Sequence, residues 1–155
     1  MLVGAQECLK GGNPEGVRRS LEQMSVEGQG QFAALEIRWE LEAQAGRWEQ
    51  GLRIATAMSE LAPQNAQPWL CQACCLSELK RHEQALEMLV GVVDQFPKVP
   101  MIAYNLACCA CKLERLEDAK KWLDRAVLEG HRLEIKLMAL DDPDMLPLLD
   151  EVCAL

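Results

Sequence analysis

The chain has 155 residues, half of them hydrophobic, and a formal net charge of −8 at pH 7. This length supports a domain with its own core, and this hydrophobic fraction excludes an intrinsically disordered chain. The acidic balance disfavours nucleic acid and anionic membrane surfaces as partners, because both are negatively charged. No apolar run approaches the roughly 20 residues that a membrane-spanning helix needs.

Apolar periodicity and turn residues predict a chain built of helices. The predicted helices are, in chain order, Leu2–Lys10, Pro14–Ser25, Gln31–Ala45, Trp48–Leu61, Gln67–Leu79, His82–Gln95, Met101–Leu113, Leu116–Glu129 and Leu133–Leu140. Asn13 suits the N-cap of the second helix, and Asp142 suits the N-cap of a last helix that begins at Pro143. The stretch Glu27–Gln31 contains two glycines and is predicted to be a loop.

A period of 34 residues runs through most of the chain. The segments GRWEQGLRIA, KRHEQALEML and ERLEDAKKWL begin at Gly46, Lys80 and Glu114, each 34 residues after the one before. Pro63 and Pro97 keep the same spacing. A short period of this length is the mark of a repeat protein made of helical pairs.

The pattern resembles the tetratricopeptide-repeat (TPR) family, whose repeat is a 34-residue helix–turn–helix. Trp69, Ala73, Ala85 and Pro97 stand at the family's aromatic, small and proline positions. The resemblance implies an all-α, right-handed superhelical solenoid of antiparallel helix pairs, forming one domain over residues 1–155. We place a truncated repeat at 1–31, full repeats at 32–65, 66–99 and 100–133, and C-terminal capping helices at 134–155.

The closing segment ALDDPDMLPLL resembles the last segment of many bacterial TPR arrays, so the chain resembles a small bacterial-type member. We expect this segment to cover the apolar face of the last repeat. The first full repeat departs from the family at Trp39, where a small residue is usual. Because Gly51 and Ala55 are smaller than usual, we expect them to make room for the indole.

The resemblance further implies a concave groove, lined by the first helix of each repeat, that binds a segment of another protein. The expected groove residues are Glu36, Glu40, Leu70, Cys74, Glu78, Met101, Tyr104, Asn105, Cys108 and Lys112. Met101 and Tyr104 are the expected anchors, although Tyr104 would equally suit packing against a neighbouring helix.

A subset of the family grips terminal carboxylates with a clamp of Lys, Arg and Asn. Asn105 fits one clamp position, but Glu36 and Glu40 stand where Lys and Asn are needed and would repel a carboxylate. We therefore expect a partner with basic and apolar side chains. The role would be that of an adaptor, a scaffold or a chaperone for one client, with self-association through the N-terminal edge as a further expectation.

Two groups of cysteines, Cys71–Cys75 and Cys108–Cys111, leave open a metal- or redox-responsive alternative. Their mid-helix positions favour cysteine acting as a small hydrophobic residue, so we expect no metal and no cofactor. Adjacent thiols on a helix and the absence of an export signal favour reduced cysteines and a cytoplasmic protein. His82 and His131 are predicted to be surface turn residues. No catalytic motif is present, so an enzyme is not expected.

Overall fold

The computed structural model describes residues 13–25, 28 and 30–155 of the chain. Within these ranges the secondary structure is helical and no strand occurs, which confirms the predicted all-α class. The helices are α1 (Pro14–Glu22), α2 (Phe32–Gln44), α3 (Trp48–Leu61), α4 (Ala66–Glu78), α5 (His82–Val92), α6 (Pro100–Lys112), α7 (Leu116–Glu129), α8 (Arg132–Asp141) and α9 (Leu149–Ala154).

Short 3₁₀ turns follow α5 at Val93–Gln95 and α8 at Pro143–Leu148. The last segment is therefore a 3₁₀ helix and a short α-helix, where the sequence predicted one helix from Pro143. The predicted helix Leu2–Lys10 lies outside the described residues, as do Glu27 and Gln29 of the predicted loop. None of the helices in the described ranges combines the length and the apolar character that crossing a membrane requires.

One turn geometry joins the two helices of each full pair. The backbone φ is +67° at Gly46, +61° at Lys80 and +58° at Glu114, in the left-handed region. The amide of the arginine that follows each of them donates to the carbonyl five residues back, at 2.8–2.9 Å. These are the bonds of a Schellman motif, which ends a helix by turning the chain sharply. The 34-residue period of the sequence is thus also a period of turn geometry.

Side-chain hydrogen bonds cap the helix that begins at Pro14 and the 3₁₀ helix that begins at Pro143, as predicted. The Asn13 Oδ1 accepts a hydrogen bond from the Gly16 amide at 2.9 Å at the start of α1. The Asp142 Oδ1 accepts one from the Asp144 amide, also at 2.9 Å, at the start of the second 3₁₀ helix. Each bond satisfies an amide that the first turn of a helix otherwise leaves without a partner.

The chain divides into two compact units, here called the N-terminal unit (up to Cys75) and the C-terminal unit (from Leu76). The N-terminal unit contains a small core of buried side chains from α1 and α2: Val17, Leu21, Ala34, Ile37 and Leu41. Trp39 donates its Nε1–H to the Cys75 Sγ at 3.3 Å. A Cβ at Gly51 would lie 3.1 Å from that sulfur and 3.6 Å from the indole nitrogen. Gly51 therefore leaves the space that the expected compensation requires.

The C-terminal unit has a larger core, built from α6, α7 and the segment after them. That last segment contributes Ile135, Ala139, Met145, Leu148 and Val152, each at most 4% exposed. They pack with small residues of α6 and α7, such as Ala107 and Ala119. The C-terminal segment therefore covers the apolar face of the last helix pair, which is the task expected of a solenoid cap.

Candidate partner-binding surface

The N-terminal unit presents two carboxylates, Glu36 and Glu40, one helical turn apart on α2. Trp39, which lies between them in sequence, donates a hydrogen bond to Cys75 on α4, so this part of α2 lies beside that helix. The negative charge of both carboxylates also raises the pKa of the Cys71 thiol on α4. Burial, followed by the neighbouring thiols of Cys75 and Cys74 and then by the two carboxylates, raises the pKa of Cys71 to about 12. Among the described residues, neither carboxylate has a cationic partner.

Leu70 and Cys74 lie one helical turn apart on α4, on either side in sequence of Cys71, the residue on which both carboxylates act. Leu70 is half-buried and Cys74 is exposed. Together with Glu36 and Glu40 they form what we call the α2/α4 surface. It offers apolar contact flanked by negative charge, which suits a partner segment with both apolar and basic side chains. Glu78, also exposed, lies at the end of α4 and within the C-terminal unit.

Tyr104 on α6 is buried, which corrects its prediction as a groove anchor. Its side chain is 3% exposed, and its hydroxyl donates to the Asp142 Oδ2 at 2.8 Å. Burial and this hydrogen bond raise the pKa of Tyr104, so the phenol stays protonated. The alternative prediction, packing against a neighbouring segment, describes its position, and a partner has no access to the ring.

Cys108 and Lys112 follow Tyr104 along the same face of α6, and both contact the C-terminal segment. The Cys108 Sγ lies 3.7 Å from the Asp142 Oδ2, and burial followed by the nearby carboxylates raises the pKa of this thiol. The Lys112 Nζ forms an ion pair with the Asp144 Oδ1 at 2.6 Å. This face of α6 is therefore covered by residues 142–148, here called the cap segment, and is not an open groove.

Asn105 and Met101 lie nearer the beginning of α6. The Asn105 amide donates to the Met101 carbonyl at 2.8 Å, so part of its hydrogen-bonding capacity is used within the helix. The Met101 side chain lines a pocket of about 350 Å³. Ile135 and Met138 supply apolar lining to this pocket, and Glu129 and Glu134 supply carboxylates. Met101 and Asn105 are both half-buried, and of the two Met101 lines this pocket.

No group of three or more His, Cys, Asp or Glu side chains in the described ranges converges as metal ligands would. Burial raises the pKa of Cys109 and of Cys111 to about 11. Because the thiolate is the form that binds metal and attacks electrophiles, a raised pKa disfavours both activities. The arrangement fits cysteine as a small apolar residue.

The two histidines differ from each other in exposure. His131 is exposed, as predicted for a turn residue. His82 is half-buried, its Nδ1 is buried without a hydrogen-bond partner, and burial lowers its pKa. His82 was predicted as a surface residue, and this position at the first residue of α5 corrects that prediction in part.

Asp142 has, besides its predicted capping role, a second role that sequence reasoning missed. It was predicted to serve only as the N-cap of the last helix. Asp142 does cap that helix, but its second carboxylate oxygen also binds Tyr104, 38 residues away in sequence. Two carboxylates within three residues, where one is enough for a cap, are the signal that pointed to a further role.

Comparison with known proteins supports the family resemblance. Residues 76–140 match the family model of the tetratricopeptide repeat, so this stretch is TPR sequence and the resemblance drawn from the 34-residue period is confirmed. No curated protein sequence is significantly similar to the chain.

Solved structures share the fold over nearly the whole chain. MamA from Desulfovibrio magneticus RS-1, solved from residue 41 to its end, is 20% identical with a TM-score of 0.72, and the match covers 97% of this chain and 87% of that one. A structure described as the MamA RS-1 ArsTM double mutant matches with the same score and identity, over 97% and 86% of the two chains. PcrH, solved with the chaperone binding region of PopB, is 21% identical with a TM-score of 0.60, over 85% of this chain and 97% of that one. These likenesses establish the TPR fold.

Proposed function

We propose that this chain is a non-catalytic protein-interaction module that binds a segment of another protein across the α2/α4 surface. The observation that carries the proposal is the pair of carboxylates, Glu36 and Glu40, which act on Cys71 of α4, between the half-buried Leu70 and the exposed Cys74 in sequence. A partner arginine or lysine would neutralise the carboxylates, and an apolar side chain beside it would cover Leu70.

The fold supports a protein-binding role, and within the proposal this role is that of a cytoplasmic adaptor or of a chaperone for one client. PcrH holds the chaperone binding region of PopB, so a protein of this fold accommodates a partner segment. A fold alone does not determine a function, and the proposal therefore depends on the surface. No disulfide joins the cysteines of the described ranges to one another, which agrees with the proposed reducing compartment.

The first test compares two double charge reversals in affinity capture from host lysate. Glu36→Lys/Glu40→Lys reverses the charge of the α2/α4 surface. Glu60→Lys/Glu87→Lys makes the same charge change at exposed positions on α3 and α5 and is the matched control. We expect a partner that wild type and the control capture and that the surface variant loses. Equal capture by both variants would place binding elsewhere and contradict the proposal.

The second test uses Cys74 as a reporter on the surface. Because its thiol is exposed, it is available to alkylating reagents in the free protein. Addition of the captured partner, or of the segment of it that binds, is expected to protect Cys74 while Cys153, also exposed but in the C-terminal unit, stays reactive. Peptide mapping by mass spectrometry measures both thiols in one sample. Unchanged labelling of Cys74 in the saturated complex would argue against this site.

A further inference from the structure

Helix α8 is apolar on two opposite faces. Ile135 and Ala139 point into the core of the C-terminal unit and are 4% and 2% exposed. Leu133, Leu137 and Leu140 are spaced as i, i+4 and i+7 and are 67%, 55% and 42% exposed, so they form a stripe on the outer face. An apolar stripe of this kind on the outside of a helix is usually covered by another surface, and this one has no cover among the described residues.

The two edges of this leucine stripe carry opposite charges. The spacing of 3.6 residues per turn places Arg132 and Lys136 along one edge, and Glu134 and Asp141 along the other. The basic edge adjoins the end of α9, since Lys136 donates to the Cys153 carbonyl at 2.8 Å and Arg132 donates to the Leu155 carbonyl. In the described chain, Glu134 and Asp141 have no cationic partner. The stripe is therefore complementary in charge to a copy of itself.

We propose that two copies of this chain associate through the leucine stripe of α8, with the two helices parallel. A two-fold axis parallel to the helices places the acidic edge of one copy opposite the basic edge of the other. An antiparallel pair would place like charges together, because each edge would then meet its own equivalent. In the parallel arrangement Lys136 of one copy faces Asp141 of the second copy, the spacing that joins flanking charges in parallel helix pairs.

A second copy fits this surface better than an unrelated partner of one charge. A basic segment would be repelled by Arg132 and Lys136, and an acidic one by Glu134 and Asp141. The isologous pair satisfies both edges twice, since each contact occurs again across the axis. The stripe belongs to α8 in the C-terminal unit, so the proposal is independent of partner binding at the α2/α4 surface.

The test is the molar mass of the full chain in solution, measured by sedimentation over a range of concentrations. We expect wild type to approach twice the 17.3 kDa of one chain as the concentration rises. Leu137→Glu places two carboxylates at the centre of the interface and is expected to weaken the dimer by at least about tenfold. Leu61→Glu, at a leucine of similar exposure (57%) on α3, is the matched control and is expected to leave the mass unchanged.

Charge reversals test the parallel arrangement. Lys136→Glu and Asp141→Lys are each expected to raise the dissociation constant of the dimer, and the two together in one chain are expected to restore it. Circular dichroism checks that every variant remains folded. A monomer at all concentrations, a dimer that survives Leu137→Glu, or a dimer lost equally with Leu61→Glu would overturn the proposal. A dimer without rescue by the double reversal would overturn the parallel pairing.

Discussion

Equivalent repeat positions have different surroundings in the two units of the molecule. Cys74 on α4 and Cys108 on α6 are 34 residues apart, and so are Leu70 and Tyr104. In the N-terminal unit Cys74 is exposed and Leu70 is half-buried. In the C-terminal unit Cys108 lies against Asp142 and Tyr104 is in the core. The helices are equivalent in the repeat, and the difference comes from the cap segment that follows the last repeat.

The contrast shows that a repeat pattern identifies a face of a helix but not what lies against that face. The residues Tyr104, Cys108 and Lys112 bind a segment with two aspartates, which belongs to their own chain. Glu36 and Glu40 are negatively charged, whereas Lys112 is positively charged. No comparable segment lies against the two glutamates in the described structure. The final pair thus stabilises the end of the array, while the earlier surface stays available to a partner.

The largest expected effect is that of Tyr104→Ala compared with Leu70→Ala. Removing a ring that is 3% exposed should lower the free energy of unfolding by about 3–5 kcal/mol, because the core loses apolar contacts and gains a cavity. Leu70→Ala, at the half-buried equivalent position, should cost about 1 kcal/mol. Urea unfolding followed by circular dichroism measures both.

Tyr104→Phe measures the contribution of the hydroxyl to the free energy of unfolding apart from that of the ring. It keeps the packing and removes the hydrogen bond to Asp142, so the expected loss is about 1–2 kcal/mol. Equal losses for Tyr104→Ala and Leu70→Ala would mean that the two repeat positions are equally open, and the contrast between the units would be lost.

An alkaline pH should lower the stability of the C-terminal unit, an effect of intermediate size. The folded C-terminal unit holds the pKa of Cys109 and of Cys111 at about 11, above the ordinary thiol value of 9.0. Above pH 9 the unfolded chain releases protons that the folded chain keeps, so stability is full below pH 9 and falls as the pH rises towards 11.

The Cys109→Ala/Cys111→Ala variant separates the contribution of these thiols to the pH dependence of stability from that of lysines, which lose their protons in a similar pH range. Alanine keeps a small apolar side chain but has no proton to lose. We expect the free energy of unfolding of the variant to fall less between pH 9 and pH 11 than that of wild type. Parallel curves for the two proteins would show that these thiols do not couple to folding.

Gly51→Ala tests whether the small residue at position 51 makes room for Trp39 in the N-terminal unit. The equivalent positions hold Ala85 and Ala119, and glycine to alanine in a helix ordinarily gains about 0.5–1 kcal/mol. At Gly51 the added Cβ would lie 3.1 Å from the Cys75 Sγ, so we expect a net loss of about 1 kcal/mol instead. Gly91→Ala is the control, because a Cβ at this position would have no atom within 4 Å. Thermal unfolding of both variants measures the two changes in stability. A gain at Gly51 would show that Trp39 and Cys75 are not tightly packed.

The features predicted from sequence are those set by neighbouring residues. The turns at Gly46, Lys80 and Glu114, the Asn13 cap and the helix pairs all depend on local spacing, and the structure contains them. The burial of Tyr104 depends on a carboxylate 38 residues away, and its position is set by the path of the chain after α8. Residue type did not distinguish an exposed tyrosine from a buried one. The leucine stripe was visible as a spacing, but its exposure is a property of the folded chain.

The smallest expected effect, that of Lys112→Ala, shows what holds the cap segment in place. The Lys112–Asp144 pair is short at 2.6 Å, but its side chains are 40% and 36% exposed, so its loss should cost at most about 1 kcal/mol. Leu148→Ala, at a fully buried position of the same segment, should cost about 2–5 kcal/mol. Alkylation of Cys108 reports whether the segment stays in contact with α6. If apolar burial holds the cap, Leu148→Ala accelerates this alkylation and Lys112→Ala does not; equal acceleration would assign the cap to the ion pair.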